Sequence, residues 1–382
     1  MKRSKLDRRQ DFIMNIMRPI VKLWMRKDSR RKVFLGEGVS FKRTEPSVIL
    51  ANHTFMFDVI HVPLRFKKVP FIVANQTLFK KKATKFLVTQ VAHVISKAKG
   101  QSDTSTVRDL LGAVKRGYPI LIFPEGDTTF YGETNYIEES TMKLIKKLEI
   151  DVITCNVRGG YLSKPRWATG KRKNRYAEFH YSLTIPKEKI KDLSVDEINE
   201  IIKEALYHNA YDFQREKMIP HPGKKLAEGL EDVLYVCPLC ESLHTLETKG
   251  NTIKCTNCKT EGYMDKFGFI QNFKYDNLID WNKFQRNYKK ELMSSTLETS
   301  ALLSFVNEET QEMDDVGEVT LKYLNQQFLV CGSINETIDL NEIKNPTITI
   351  RRDFAFYYQN KNYLFKLDHY GAAFLRIAQD KY

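Results

Sequence analysis

Two stretches of the chain decide its fold, SVILANHTFMFD at residues 47–58 and PILIFPEGDTT at residues 119–129. Each stretch begins with a short apolar run, and polar residues follow one or two positions after its end. Apolar runs of this length, bounded by turn-forming residues, are typical of buried strands. The polar residues that follow are therefore expected at the ends of two strands, where α/β sheets present ligand sites.

The segments around these two stretches alternate between strand and helix patterns. Thr104–Lys115 has its apolar side chains on one helical face, and Ser194 with Glu197 forms a capping box that begins a helix over residues 194–217. Further apolar runs predict strands at 71–74, 152–157 and 178–184. The alternation predicts an α/β fold with a mixed sheet flanked by helices.

The charge of the chain points to an anionic partner. Its 382 residues carry 61 Lys and Arg against 47 Asp and Glu, a net charge of +14, and 42% of them are hydrophobic. That hydrophobic content excludes a disordered chain, and the charge leaves nucleic acid, a membrane surface or a phosphorylated substrate as partner classes. Residues 1–50 alone hold 14 basic and 5 acidic residues, so most of the excess lies at the start.

The segment at about 7–28 is predicted to be a basic amphipathic helix, which Pro19 kinks or splits into two. Such a helix suits a membrane interface, and an ordinary helix packed on a core is the alternative. No apolar run is long enough to span a bilayer, and no signal-peptide pattern begins the sequence, so the expected place is the cytoplasm. Its apolar residues are Phe12, Ile13, Ile16, Met17, Ile20, Leu23 and Trp24.

The first polar stretch holds a histidine and an aspartate five positions apart, His53 and Asp58. An imidazole can take a proton from a hydroxyl, and a carboxylate on its other nitrogen stabilises the cation that forms. In the second stretch, Glu125 can accept hydrogen bonds from hydroxyls, and Gly126 lets the backbone approach a ligand. The hydroxyls of Thr128 and Thr129 can donate to an anion. A structural histidine and a simple turn are the alternatives.

Taken together, His-x4-Asp and, about 70 residues later, Phe-Pro-Glu-Gly resemble the glycerolipid acyltransferase family, the lysophosphatidate acyltransferases and their relatives. The resemblance covers about residues 45–190. Between these two motifs the family has another sequence block, which ends in an arginine. In this chain that block corresponds to His93–Lys97, so Lys97 replaces the arginine. After Phe-Pro-Glu-Gly the family has Thr-Arg-Ser, whereas this chain has Asp127, Thr128 and Thr129.

The resemblance implies acyl transfer from a thioester, carried by an acyl-carrier protein or coenzyme A, to the hydroxyl of a lysophospholipid. The expected acceptor is 1-acylglycerol-3-phosphate and the product phosphatidate. His53 would act as the base and Asp58 would orient it. The acceptor and its phosphate would lie near Lys97, Glu125, Gly126, Asp127, Thr128 and Thr129. The protein would work as a peripheral protein on an anionic membrane, at the inner face of the cell membrane.

Four of the six cysteines form the pattern CxxC-x14-CxxC, namely Cys237, Cys240, Cys255 and Cys258. Two residues between thiolates let one turn hold a metal with both sulfurs, and two such turns complete a tetrahedron. The pattern predicts a zinc ribbon with a structural zinc, and an iron site of rubredoxin type is the alternative. A site closed by four thiolates leaves no position for catalysis.

Four domains are predicted: membrane-surface helices at 1–32, an acyltransferase domain at 33–225, the zinc ribbon at 232–272, and a linker helix with a small β-rich domain at 273–382. The strands and final helix of the last domain resemble pleckstrin-homology or GRAM-like modules in element order. A nucleic-acid-binding zinc-ribbon protein and a non-catalytic lipid-binding scaffold are the alternative functions. The ribbon is nearly balanced in charge, so no nucleic-acid partner is expected.

Overall fold

The fold is described by a computed structural model that covers residues 4–28, 30–75, 92–97, 104–307 and 313–380. The chain forms two units. The first comprises Met1–Lys164 and Asn174–Ile219, and the second comprises Pro165–Lys173 and Pro220–Tyr382. The domain boundaries expected from the sequence stay predictions, but residues 165–173 lie in the second unit although the sequence placed them in the acyltransferase domain.

A seven-stranded mixed sheet forms the centre of the first unit, in the order β1-β7-β6-β2-β5-β3-β4. Only the β6–β7 pair is antiparallel, and every other neighbouring pair is parallel. This confirms the mixed α/β fold, and every predicted strand is present. The strands are β1 (Arg30–Leu35), β2 (Val48–Ala51), β3 (Phe71–Asn75), β4 (Val94–Lys97), β5 (Ile120–Ile122), β6 (Val152–Arg158) and β7 (Tyr176–Ile185).

The described helices of the first unit are α1 (Lys5–Asp28), α2 (Asp58–His61), α3 (Thr104–Lys115), α4 (Glu139–Leu148), α5 (Gly160–Ser163), α6 (Lys187–Ile190), α7 (Val195–Leu206) and α8 (Ala210–Lys217). Pro19 does not split α1, which is one helix. The single helix predicted at 194–217 is wrong. Tyr207 leaves the helical conformation, and the Asn209 side chain caps a second helix, α8.

Both faces of the first sheet are packed. Along β2, Val48 and Leu50 belong to a core that includes α3, α4 and α7. Ile49 and Ala51 belong to a second core on the other face. Since successive strand residues point to opposite faces, a strand that is apolar at every position must be covered on both sides. The loop that follows β2 therefore starts from a fixed position.

The second unit contains two antiparallel sheets. The smaller, in the order β11-β10-β9-β8, contains β8 (Leu246–Lys249), β9 (Thr252–Cys255), β10 (Glu261–Met264) and β11 (Ile270–Gln271). The helices α9 (Leu278–Gln285) and α10 (Lys289–Ser294) follow. The larger sheet, in the order β15-β14-β13-β12-β18-β17-β16, contains β12 (Leu297–Val306), β13 (Met313–Leu324), β14 (Gln327–Gly332), β15 (Glu336–Asp339), β16 (Lys344–Thr349), β17 (Asp353–Tyr358) and β18 (Lys361–Leu367).

The chain then forms α11 (Gly371–Gln379), the closing helix expected from the sequence. Its buried Phe374 and Ile377 belong to the same apolar core as Phe328 and Phe354 of the larger sheet. A β-rich region that ends in a helix is thus present. Its likeness to pleckstrin-homology modules remains a prediction. Across the ranges that the structure describes, no helix has the length and apolar content needed to cross a membrane.

Candidate active site

The histidine and aspartate of the first polar stretch form a pair at the end of β2. His53 lies in the loop after the strand, and Asp58 is the first residue of α2. The Nδ1 atom of His53 lies 2.8 Å from Oδ1 of Asp58. The carboxylate is completely buried, whereas 15% of the histidine side chain is exposed. A ligand can thus reach the imidazole while its partner stays shielded from water.

Asp58 is fixed by the loop that it closes. Its Oδ2 atom accepts hydrogen bonds from the backbone N–H groups of Thr54 at 2.8 Å and Phe55 at 3.2 Å. These two N–H donors fix the position of the carboxylate within the loop. With four residues between His53 and Asp58, one carboxylate can contact both the loop backbone and the histidine ring.

The electrostatic surroundings raise the pKa of His53. Burial is the largest single influence and would lower this pKa, but the negative charge of Asp58 and its interaction with the ring, together with the charges of other nearby carboxylates, outweigh burial. These other carboxylates are those of Glu125 and Asp127. Because a raised pKa means a stronger attraction for a proton, the ring is suited to accept one from a hydroxyl.

The second polar stretch holds the backbone of His53 from both sides. Oε1 of Glu125 accepts the His53 N–H at 2.7 Å, and the Thr129 N–H donates to the His53 C=O at 3.0 Å. The other oxygen of Glu125 accepts the N–H of Asn135 at 2.6 Å. The ring centres of Phe123 and His53 are 4.6 Å apart. Glu125 and Thr129, predicted to contact the acceptor, thus contact the histidine backbone.

The pKa of Glu125 is raised to about 7. Burial is the main cause, and it exceeds the lowering by the N–H groups of Asn135 and His53. A proton on this carboxyl would put an O–H where an N–H donor now points. Acidification to pH values below about 7 therefore weakens the contact that positions His53.

The remaining predicted acceptor residues lie at the same edge of the sheet. The carboxyl ends of the parallel strands β2, β5, β3 and β4 lead to His53, Glu125 and Lys97. Lys97 is the last residue of β4, and its side chain lies outside the described part of the structure. Gly126 has a φ of +71° and open space where a Cβ would be. Asp127 accepts the N–H of Thr128 at 2.9 Å.

Two residues that the sequence did not single out support the loop. The buried Asn52 donates from Nδ2 to the Val157 C=O at 3.0 Å and accepts the Val157 N–H at 2.6 Å, which ties the loop to β6. A Cβ on Gly160 would lie 2.4 Å from atoms of both Thr54 and Phe55. The signals available were a polar residue directly after a buried strand and the Gly159-Gly160 pair after β6.

The helix α1 has its apolar face turned outward. Side chains of Phe12, Ile16, Ile20, Leu23 and Trp24 are each at least half exposed. The opposite face packs on the rest of the first unit through polar groups. Asp7 pairs with Arg116 at 2.8 Å, Gln10 donates to the Ala92 C=O at 3.0 Å, and Asp11 accepts the Tyr118 hydroxyl at 2.6 Å. Asp7 and Gln10 are buried.

The same helix contacts the loop of the histidine pair. The ring centre of Trp24 lies 5.6 Å from that of Phe57, edge to face, and Phe57 directly precedes Asp58. Lys164 lies over the Phe57 ring, with its Nζ 4.3 Å from the ring centre. Met56, in the same loop, is 56% exposed. The outward apolar surface of α1 thus adjoins the His53 site.

The four cysteines of the second unit converge, with all of their sulfur atoms within 4.8 Å of one another. The Sγ atoms of Cys237 and Cys258 are 3.9 Å apart, and those of Cys240 and Cys255 are 3.7 Å apart. Four sulfurs at the Zn–S distance of about 2.3 Å on a tetrahedron would be separated by about 3.8 Å. The arrangement therefore fits a tetrahedral metal ion.

Both cysteine turns have the same backbone form. The residue after each pair, Glu241 or Lys259, has a positive φ of about 60°. Its N–H donates to the C=O of the first cysteine of the pair, at 2.9 Å for Glu241 and 3.0 Å for Lys259. Two turns that present sulfurs in the same way are consistent with the predicted metal knuckles.

Comparison with known proteins bears on the first unit. Residues 34–158 match the family model described as Acyltransferase, a range that includes His53, Asp58 and the 123–129 turn. The crystal structure of the 1-acyl-sn-glycerophosphate (LPA) acyltransferase PlsC from Thermotoga maritima is similar at 14% sequence identity, over 49% of this chain and 73% of that chain. The TM-score of this match is 0.37. No curated protein matches the chain.

Proposed function

We propose that this protein is an acyltransferase of the membrane surface. It moves a fatty acyl group from a thioester to the hydroxyl of a lysophospholipid, with 1-acylglycerol-3-phosphate as the expected acceptor. The observation that carries the proposal is the His53–Asp58 pair, 2.8 Å apart. It lies within the range that matches the acyltransferase family model, and the Phe-Pro-Glu-Gly turn holds the histidine backbone.

The proposed reaction uses His53 as a general base. Its Nε2 takes the proton from the acceptor hydroxyl while that oxygen attacks the thioester carbonyl. The tetrahedral intermediate then expels the thiolate, which takes the proton back from the imidazolium. Asp58 stabilises that cation, as a buried carboxylate beside an imidazole does. Cys155 has no role, because burial in β6 raises its pKa far above the usual range.

The acceptor residues divide into two groups under this proposal. Glu125 and Thr129 act through the His53 backbone and are positioning residues. Lys97, Gly126, Asp127 and Thr128 would contact the acceptor or its phosphate. A panel of glycerol phosphate and lysophospholipids with different head groups tests which acceptor the protein uses. Turnover with none of these acceptors would favour a non-catalytic lipid-binding scaffold instead.

The activity of the wild type is expected to fall as the pH is lowered. His53 must be neutral to accept a proton, and its pKa is raised above 6.5, so the acid limb of kcat/KM should have its midpoint above that value. Asp58→Asn removes the main cause that raises the pKa and leaves burial, so the midpoint should move to lower pH.

Two titrations contribute to this limb, since the Glu125 pKa is about 7 and the measured midpoint belongs to both groups. Glu125→Gln is the matching control, because it keeps one oxygen acceptor and removes the second titration. A limb that stays at the same pH in Asp58→Asn would contradict the assignment of His53.

The membrane part of the proposal rests on the outward face of α1. An apolar helix face that points away from the core, while buried polar groups dock the opposite face, suits insertion at a bilayer interface. The basic excess of residues 1–50 would attract an anionic surface. We place the protein as peripheral on the inner face of the cell membrane, in contact with the cytoplasm.

Replacing Ile16 and Ile20 by serine is expected to weaken binding to anionic vesicles by about 10²–10⁴-fold, since each buried isoleucine side chain contributes roughly 1.5–3 kcal/mol. Both side chains are more than half exposed, so the free energy of unfolding should change little. Co-sedimentation with vesicles measures the effect. The matched control replaces Leu302 and Ile350, exposed apolar residues of the second unit, by serine. Equal loss in both double variants would count against α1.

The four cysteines are proposed to hold a structural zinc, with an iron site as the alternative. When bound, zinc cross-links the two cysteine turns through four thiolates and leaves no open position. We also propose that residues 273–382 comprise a linker helix and a small β-rich domain, as predicted from the sequence; both lie in the second unit together with the cysteine cluster. The strand order and the closing helix support this division.

A further inference from the structure

A basic groove lies beside α1 in the first unit, with a volume of about 300 Å³. This is at the lower end of the range for small-molecule sites. The described side chains that line it include four cations and one acidic group. The cations are Arg18, Arg43, Lys67 and Lys68, and the acidic residue is Asp11.

Arg18 is a partly buried cation of the groove with one unpaired donor. Arg43 pairs with Asp151 and Glu45, and Lys68 donates to the Gly117 C=O. Arg18 instead donates from Nη2 to the C=O of Lys67 at 3.1 Å, and its buried Nε has no hydrogen-bond partner among the described groups. Burial lowers the pKa of Arg18, and only the charge of Asp11 opposes this. A partly buried guanidinium in this state favours an anion.

The positive field continues along the helix. Lys22 and Arg26 follow Arg18 at four-residue steps, so they share one side of α1. Burial lowers the pKa of Lys22, and so do the neighbouring charges of Arg18, Arg65 and Arg26. Like charges this close repel one another, and a bound anion would relieve the repulsion.

The location of the groove selects the source of the anion. Arg18 and Lys22 lie on the side of α1 opposite the outward Phe12, Ile16 and Ile20. An interfacial helix lies in the plane of the head groups, so the cations of its polar side are held beside the lipid phosphates. The groove would then open where lipid head groups are most concentrated.

We propose that this groove is a binding site for the phosphate of an anionic membrane lipid, contacted by Arg18 and Lys67, with the charge of Lys22 on the same side of α1 adding to the attraction. The site is separate from the acceptor site at His53, and it rests on the proposed placement of α1 at a membrane. It gives the protein a preference for anionic lipid beyond the attraction due to net charge.

The test replaces Lys22 and Lys67 by glutamine in the full chain. Binding is measured by co-sedimentation with phosphatidylcholine vesicles, with and without phosphatidylglycerol. We expect about 10- to 30-fold weaker binding to the anionic vesicles, from the usual contribution of two basic residues near a charged surface. Binding to pure phosphatidylcholine should be unchanged. The charge-matched control replaces Lys143 and Lys203, exposed lysines paired with Glu139 and Glu200, by glutamine.

Three results would overturn the site. If the control variant lost vesicle binding equally, net charge would explain the effect. If the double variant bound pure phosphatidylcholine vesicles less well to the same degree, apolar insertion would explain it. Calorimetry with inorganic phosphate alone gives the third. Saturable phosphate binding by the wild type that the double variant loses, with vesicle binding unchanged, would assign the groove to a soluble anion. Acyl transfer is assayed separately, so an inactive wild type would contradict the proposed function and leave the vesicle result standing.

Discussion

Replacing His53 by glutamine is expected to lower kcat/KM for acyl transfer by about 10²–10⁴-fold, the usual contribution of a general base. Glutamine retains an amide that can donate to the buried Asp58, so the carboxylate keeps a partner and the loop should keep its form. Release of free thiol from an acyl thioester in the presence of a lysophospholipid measures the rate. The thermal midpoint should change by only a few degrees.

His369→Gln is the matched control, because His369 is an exposed histidine of the second unit. It should have wild-type activity. If His53→Gln kept activity within a few-fold of the wild type while remaining folded, the histidine would be structural. The Phe-Pro-Glu-Gly turn would then hold a loop without catalytic purpose.

Removal of the metal is expected to have the largest effect on stability. The purified protein should contain one zinc per chain, and Cys237→Ser with Cys255→Ser should abolish it. Structural zinc contributes on the order of 10 kcal/mol to the folding of small domains. The double variant should therefore lose the near-UV circular dichroism of the second unit, which contains the buried Trp167 and Trp281.

Cys331→Ser is the control for the metal prediction, since Cys331 is an exposed cysteine outside the cluster. It should retain the zinc and the full thermal midpoint. Elemental analysis that finds iron would select the rubredoxin-type alternative. A folded wild type without any bound metal, unchanged by the double substitution, would contradict a structural role for the four thiolates.

The strands of the first unit and the histidine pair could be predicted from the sequence because their determinants are local. The apolar runs at 48–51 and 120–122 are short and bounded by turn residues, which is typical of buried strands. The spacing between His53 and Asp58 closes a short loop by itself. The spacing of the cysteines likewise fixes the geometry of each turn.

The role of Glu125 was not predictable, because it depends on a partner 72 positions away. A glutamate in a turn suggests a group exposed to substrate, and only the fold shows both oxygens engaged by backbone N–H groups. The support from Gly160 is similar. Gly160 must lack a Cβ because its backbone lies close to Thr54 and Phe55. No local sequence pattern indicates this contact.

The orientation of α1 shows a further limit. Periodicity predicts which side chains share a helix face, but an apolar face looks the same whether it packs on a core or points outward. The sequence therefore left two alternatives, and the exposure of Phe12 and Ile20 favours the interfacial one. The buried polar groups Asp7 and Gln10 became recognisable only through their distant partners Arg116 and Ala92.

The reaction proposed for the His53 site is acyl transfer from a thioester to a lysophospholipid. The most direct measurement incubates the purified full chain with a radiolabelled acyl thioester, on coenzyme A or acyl-carrier protein, and 1-acylglycerol-3-phosphate. Labelled phosphatidate and free thiol are then quantified together. We expect equal amounts of both from the wild type and almost none from His53→Gln. Thiol release without a labelled lipid from any lysophospholipid acceptor, or equal lipid product from His53→Gln, would contradict the proposed reaction.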